Sequence, residues 1–164
     1  MPNRDLYSSF VTSMKNTQYD SIPVAKCLLA LANDKGVVLN ATQLQKLLFI
    51  VYGVLLAKNG LPILTETPKA WPFGPVFPRL QKRVNTGQVY RLDDPEILDV
   101  KKNTELTDVL NTVIDKYSVY TASKLTAWSH KENSPWELTV RNDGIKSQAI
   151  PDAYILEYFK KHSL

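Results

Sequence analysis

The chain has 164 residues, 44% of them hydrophobic and 22% charged. That length suits one domain with one core, and the composition excludes a disordered or low-complexity chain. A single cysteine, Cys27, excludes an internal disulfide. The net charge of +4 is unevenly placed: residues 1–90 carry ten Lys or Arg against four acidic side chains, and residues 91–164 carry ten against twelve. A basic front of this kind suits either a mixed solvated surface or a face that meets an acidic partner or nucleic acid.

In chain order, residues 21–34 predict a helix capped by Asp20 or Ser21, with Pro23 in its first turn and Cys27 on its apolar side. Asn40 then opens a longer helix that Gly60 closes. Leu44, Leu47, Leu48, Val51 and Leu55 form its stripe. Phe49, Ile50, Val54 and Leu56 make it apolar nearly all round, as expected of a central helix packed on several sides. Its longest apolar run, residues 47–57, is too short to span a bilayer.

After Gly60 the pattern changes. Residues 61–72 predict a short, hairpin-like extended element interrupted by Pro62 and Pro68. Residues 68–80, PKAWPFGPVFPRL, hold four of the ten prolines. Pro72, Pro75 and Pro78 fix backbone torsions and Gly74 permits a turn that other residues resist, so a stiff bracket is expected to clamp Trp71 and Phe73 against the long helix. A short helix follows that Gly87 should end, with Leu80 and Val84 inward and Arg79, Lys82 and Arg83 toward water.

Residues 91–103 are polar and predict a loop. Residues 104–117 predict an amphipathic helix through Leu106, Val109, Leu110, Val113 and Ile114. A helix capped by Thr121 comes next. Ser134, Pro135 and Glu137 then give the strongest start signal in the chain, a capping box with proline at the first helical position. A last helix over residues 151–162 ends in Lys160, Lys161 and His162. The sum is a mainly α chain of six or seven helices with one small extended element, read as a single domain over residues 1–164.

The sequence offers no Gly-rich phosphate loop and no Cys/His cluster at metal-ligand spacing, so neither a metal nor another cofactor is expected. Of the two histidines, His162 lies near the end, and His130 ends a helix where a cationic imidazole would suit the dipole. Ser129 and Glu132 flank His130, but nothing arranges the three as a triad. The reading is therefore not an enzyme. The segment 121–130 has the outline of a second helix of a helix-turn-helix, yet its surroundings are net acidic, which argues against DNA. Trp71, Phe73, Phe77, Trp128 and Trp136 lie in or beside loops, where they either plug the core or offer a recognition patch.

Three segments in order carry a resemblance. The first is Leu44, Lys46, Leu47, Leu48 and Phe49; the second is Ala70, Trp71, Gly74, Pro75 and Val76; the third is Ser129, His130, Pro135 and Trp136. Together they resemble the Panacea domain family, which includes the SocA-like antitoxins and phage-associated proteins, over residues 22–160. Pro72 stands where the family more often has another residue. The resemblance implies an antitoxin that neutralises a cognate protein toxin, encoded by the adjacent gene, through direct protein contact. A protease adaptor that delivers the toxin for degradation and a nucleic-acid-binding regulator are the alternatives. About twenty residues precede the first predicted helix, so an added DNA-binding domain of the kind some members carry is not expected. Lys46, Gly74, Pro75, His130, Pro135 and Trp136 are expected to hold the scaffold. Trp71, Phe73, Phe77, Arg79, Lys82 and Arg83 are the candidate partner-binding set. With no signal peptide and a lone cysteine, a cytoplasmic location is expected.

Overall fold

The structure, a computed structural model, describes residues 17–144 and 148–162. Its elements in order are α1 (Ser21–Asp34), α2 (Ala41–Asn59), β1 (Lys69–Trp71), β2 (Gly74–Val76), α3 (Pro78–Arg83), a 3-10 turn (Pro95–Ile97), α4 (Leu98–Lys102), α5 (Thr104–Tyr117), α6 (Ala122–Ser129), α7 (Pro135–Asp143), β3 (Gln148–Ala149) and α8 (Asp152–Lys161). The class is mainly α, as the periodicity predicts.

Helix α2 is the axis of the molecule. It packs against α1, α5, α6, α8 and β2, which is why its sequence is apolar on nearly every side. Asn40 accepts from the Gln43 N–H while the Gln43 side chain accepts from the Asn40 N–H, a complete capping box at 2.8 and 2.9 Å. Gly60 closes the helix in the left-handed region at φ 74°. One continuous core joins α2 to the buried faces of α1, α5 and α8. All five predicted inward residues of α5 are buried, and so is Cys27.

Several boundaries differ from the sequence reading. The hairpin is β1–β2 over residues 69–76, further along than 61–72, with pairs Lys69↔Val76, Ala70↔Pro75 and Trp71↔Gly74. Pro72 cannot take the positive φ of the common two-residue hairpin turns, so the reversal is completed at Gly74, with φ 111°. Strand β3 adds to the other edge of β1, giving the antiparallel order β2-β1-β3. Residues 61–66 instead meet the chain ahead of α1, where Tyr19 N–H donates to Ile63 O at 2.8 Å and Thr65 N–H to Tyr19 O at 3.0 Å. Helix α3 stops at Arg83, four residues short of Gly87; Leu80 is buried but Val84 only half-buried. The predicted loop at 91–103 contains the 3-10 turn and α4, started by Asp94 and Pro95 and anchored by buried Ile97 and Val100. Eight α-helices are therefore present among the described residues.

Helix α7 begins as predicted, with Ser134 accepting from the Glu137 N–H. Glu137 does not reach back to Ser134, however. Its carboxylate accepts from the Asn133 N–H at 2.9 Å and pairs with Arg141, because the Ser134 N–H already donates to Lys131 O. Asn133 sits at φ 66° to make this turn. In α8 the inward pair is Ile155 and Phe159.

Candidate functional site

The three sequence motifs meet at one place, around the β1–β2 hairpin. Lys46 projects from α2 into this region and is 1% exposed. Its ammonium donates to Pro75 O at 3.2 Å, its one hydrogen bond among the described residues for a group that carries three donors. Burial holds its pKa down at about 8. Across the turn, Gly74 leaves no room for a side chain: a Cβ there would stand 2.6 Å from Ser129 Oγ and 2.7 Å from Lys46 Cε. From α7, Trp136 Nε1–H donates to Trp71 O at 2.7 Å and so ties the hairpin to the third motif. His130 stacks on Trp136 with ring centroids 3.7 Å apart and planes 8° from parallel.

The same geometry sets the environment of His130. It does cap the C-terminus of α6, but burial and then the nearby Lys46 ammonium push its pKa below the ordinary histidine value. The ring lies flat against the Trp136 indole, and the shift favours its neutral form. His130 Nε2 and Trp71 Nε1 are both buried without a hydrogen-bond partner among the described residues. Ser129 Oγ donates to Thr126 O, so Ser129 and His130 form no nucleophilic pair. Among the described residues no group of three or more His, Cys, Asp or Glu side chains could hold a metal, and no helix is long and apolar enough to cross a membrane.

The candidate partner-binding residues separate into three environments. Phe73, at the hairpin tip, is 75% exposed and is not clamped against α2. Trp71 is half-buried. Phe77 is fully buried, packed at 5.9 Å from the Tyr52 ring, and belongs to the core. Its backbone is held by Gln45, which accepts from Phe77 N–H at 2.8 Å and donates to Phe77 O at 3.2 Å. Arg79 points outward but is occupied by Asp20 at 2.9 Å. Burial alone would raise the Asp20 pKa, but the Ile22 N–H and Arg79 outweigh it and hold the carboxyl low. Lys82 and Arg83 are exposed and make no ion pair within 4.0 Å among the described residues.

The sequence reading missed two parts of this region. One is the Gln45 clamp, whose trace in the sequence is a polar residue beside Lys46 just ahead of the apolar run 47–57. The other is a groove of about 380 Å³ between the start of α2, the hairpin and α3, walled by Leu44, Trp71, Phe73, Val76, Leu80 and Val84. Its parts are far apart in sequence, so no local pattern announces it.

The geometry defines a helical scaffold whose three motifs interlock below an exposed aromatic hairpin tip. The chain belongs to the antitoxin SocA-like, Panacea domain family, which it matches over residues 44–137, from the Lys46 helix through Trp136. It is 26% identical over 136 residues to antitoxin SocA of Caulobacter vibrioides, covering 76% of this chain and 72% of that protein. No solved structure matches the chain.

Proposed function

We propose that this chain is an antitoxin that neutralises a cognate protein toxin by direct protein–protein binding, acting as one Panacea domain over residues 1–164. The toxin is the product of the adjacent gene. Family membership supports the antitoxin role. The observation that carries the binding mechanism is the hairpin tip. Phe73 stands 75% exposed on a reversal whose torsions are restricted by Pro72 and Pro75 and whose base is fastened by the Lys46 and Trp136 hydrogen bonds. A large aromatic on a braced backbone loses little freedom on association, the usual character of an interface anchor. Lys82 and Arg83, exposed and free of ion pairs among the described residues, supply a basic rim.

In this division of labour Lys46, Gly74, Pro75, His130, Pro135 and Trp136 hold the scaffold. Phe73, Lys82 and Arg83 face the partner, with Trp71 in the groove wall. Phe77 has left the partner-facing set, and Arg79 is committed to Asp20. The test is co-expression: the adjacent gene product should stop growth alone, be harmless with this chain and co-purify with it. Growth arrest that persists with this chain present would remove the antitoxin reading; rescue without a recoverable complex would remove the binding mechanism.

A further inference from the structure

Two depressions share a wall at the end of α3. The first is the groove of about 380 Å³ already described. Its lining is predominantly apolar, with Leu80 and Leu44 buried in it and Phe73 on its lip. The second, also about 380 Å³, is polar and is lined by Lys26, Lys82, Arg83, Gln88 and Tyr90 among others. Gln81, Val84 and Thr86 line both. The charges in the second depression do not cancel. Lys26 is satisfied by Glu96 at 2.7 Å, whereas Lys82 and Arg83 keep no carboxylate within ion-pair distance among the described residues. Arg83 acts through space on Asp20, helping to hold that carboxyl low, but Asp20 is already paired with Arg79.

From this juxtaposition we infer that the face accepts a bipartite peptide segment of the partner protein: an apolar anchor side chain seated in the groove beside Phe73, followed within a few residues by one or more carboxylates set against Lys82 and Arg83. An apolar side chain gains by leaving water for the groove. A basic or neutral segment would leave two cations at the rim unmatched and slow the encounter, because interfacial charges act chiefly on steering and on rejection of wrong partners. The inference rests on the antitoxin reading and specifies the chemistry of the toxin segment that the antitoxin recognises.

The test places the photoreactive residue p-benzoylphenylalanine at position 73, and in a second protein at position 119, where Val119 is equally exposed at 75%. Each is co-expressed with the adjacent gene product and irradiated in the full complex. The expected result is an adduct from position 73 and little from 119, mapping by mass spectrometry to a toxin segment with an apolar residue close to Asp or Glu. The Lys82→Glu/Arg83→Glu variant should lower adduct yield about tenfold at low salt, and reversing the mapped acidic residues to Lys should restore it. An adduct from 119 alone overturns the inference and leaves the antitoxin reading standing. So does a mapped segment that is basic, a cross-link back into this chain or a second copy of it, or no adduct while the complex still co-purifies. A gene product that arrests growth regardless of this chain removes both.

Discussion

Phe73 and Phe77 stand four residues apart in one proline-rich stretch and have opposite environments, 75% exposed against fully buried. The residue pattern does not separate them. All three residues of β2 are buried, so the usual alternation of faces fails there. Phe77 then follows it into the core because Gln45 holds its backbone against α2. The two should respond oppositely to truncation. Phe73→Ala is expected to leave stability within about 0.5 kcal/mol, as exposed positions do, and to weaken the toxin complex at least tenfold. Phe77→Ala should cost about 3–5 kcal/mol, as removal of a buried aromatic does. Thermal melts and a binding titration on both variants check this.

Lys46 makes a separate prediction. The unfolded lysine titrates near the ordinary 10.5 and the folded one at about 8. Between those pH values the unfolded chain binds the extra proton, so stability rises with pH across the window. The rise is on the order of 3 kcal/mol, at 1.36 kcal/mol per pH unit of displacement. Burial raises the thiol of Cys27 to about 11 and raises the phenol of Tyr52, which favours the protonated forms and lowers stability above pH 9. Lys46→Met keeps both of those groups and removes only the lysine. The stability difference between wild type and Lys46→Met should therefore move in favour of wild type as pH rises from 8 to 10. A difference that is flat with pH would mean that Lys46 is solvated.

At the scale of elements, the helix starts were legible because each is written in a few adjacent residues: Asp20, Asn40, Thr121 and Ser134 all accept the expected backbone N–H. The 3-10 turn and α4 were not legible. They are three and five residues long, too short to display a period, and only Ile97 and Val100 turn inward. Strand β3 is two residues long and pairs with β1 about eighty positions away, a contact that no local pattern encodes. The hairpin's glycine was legible as a turn former, but not as the packing point of three motifs. Gly74→Ala combines a φ of 111° with contacts of 2.6 and 2.7 Å to Ser129 and Lys46. It should destabilise the protein by about 2 kcal/mol or more. In denaturant titration the midpoint should fall, while a Gly87→Ala control, at a glycine without positive φ, should move it little.

For the molecule as a whole, the basic front seen in the sequence resolves into a local asymmetry. Arg79 and Lys26 are neutralised within the fold, whereas Lys82 and Arg83 are exposed and have no ion pair among the described residues. Their contribution should lie mainly in association. Lys82→Glu/Arg83→Glu should lower the association rate with the toxin about tenfold at low ionic strength, with the deficit shrinking as salt screens the field. An unchanged rate at low salt would place the toxin elsewhere. Neutralisation by stoichiometric contact is tested by a titration in which this chain is induced in steps against a fixed toxin dose, with growth recorded and toxin abundance followed by immunoblot. Protection should saturate near equal amounts while toxin abundance stays constant. Protection at a small fraction of the toxin amount, or toxin that disappears as protection appears, would contradict it, the first pointing to catalysis and the second to delivery for degradation.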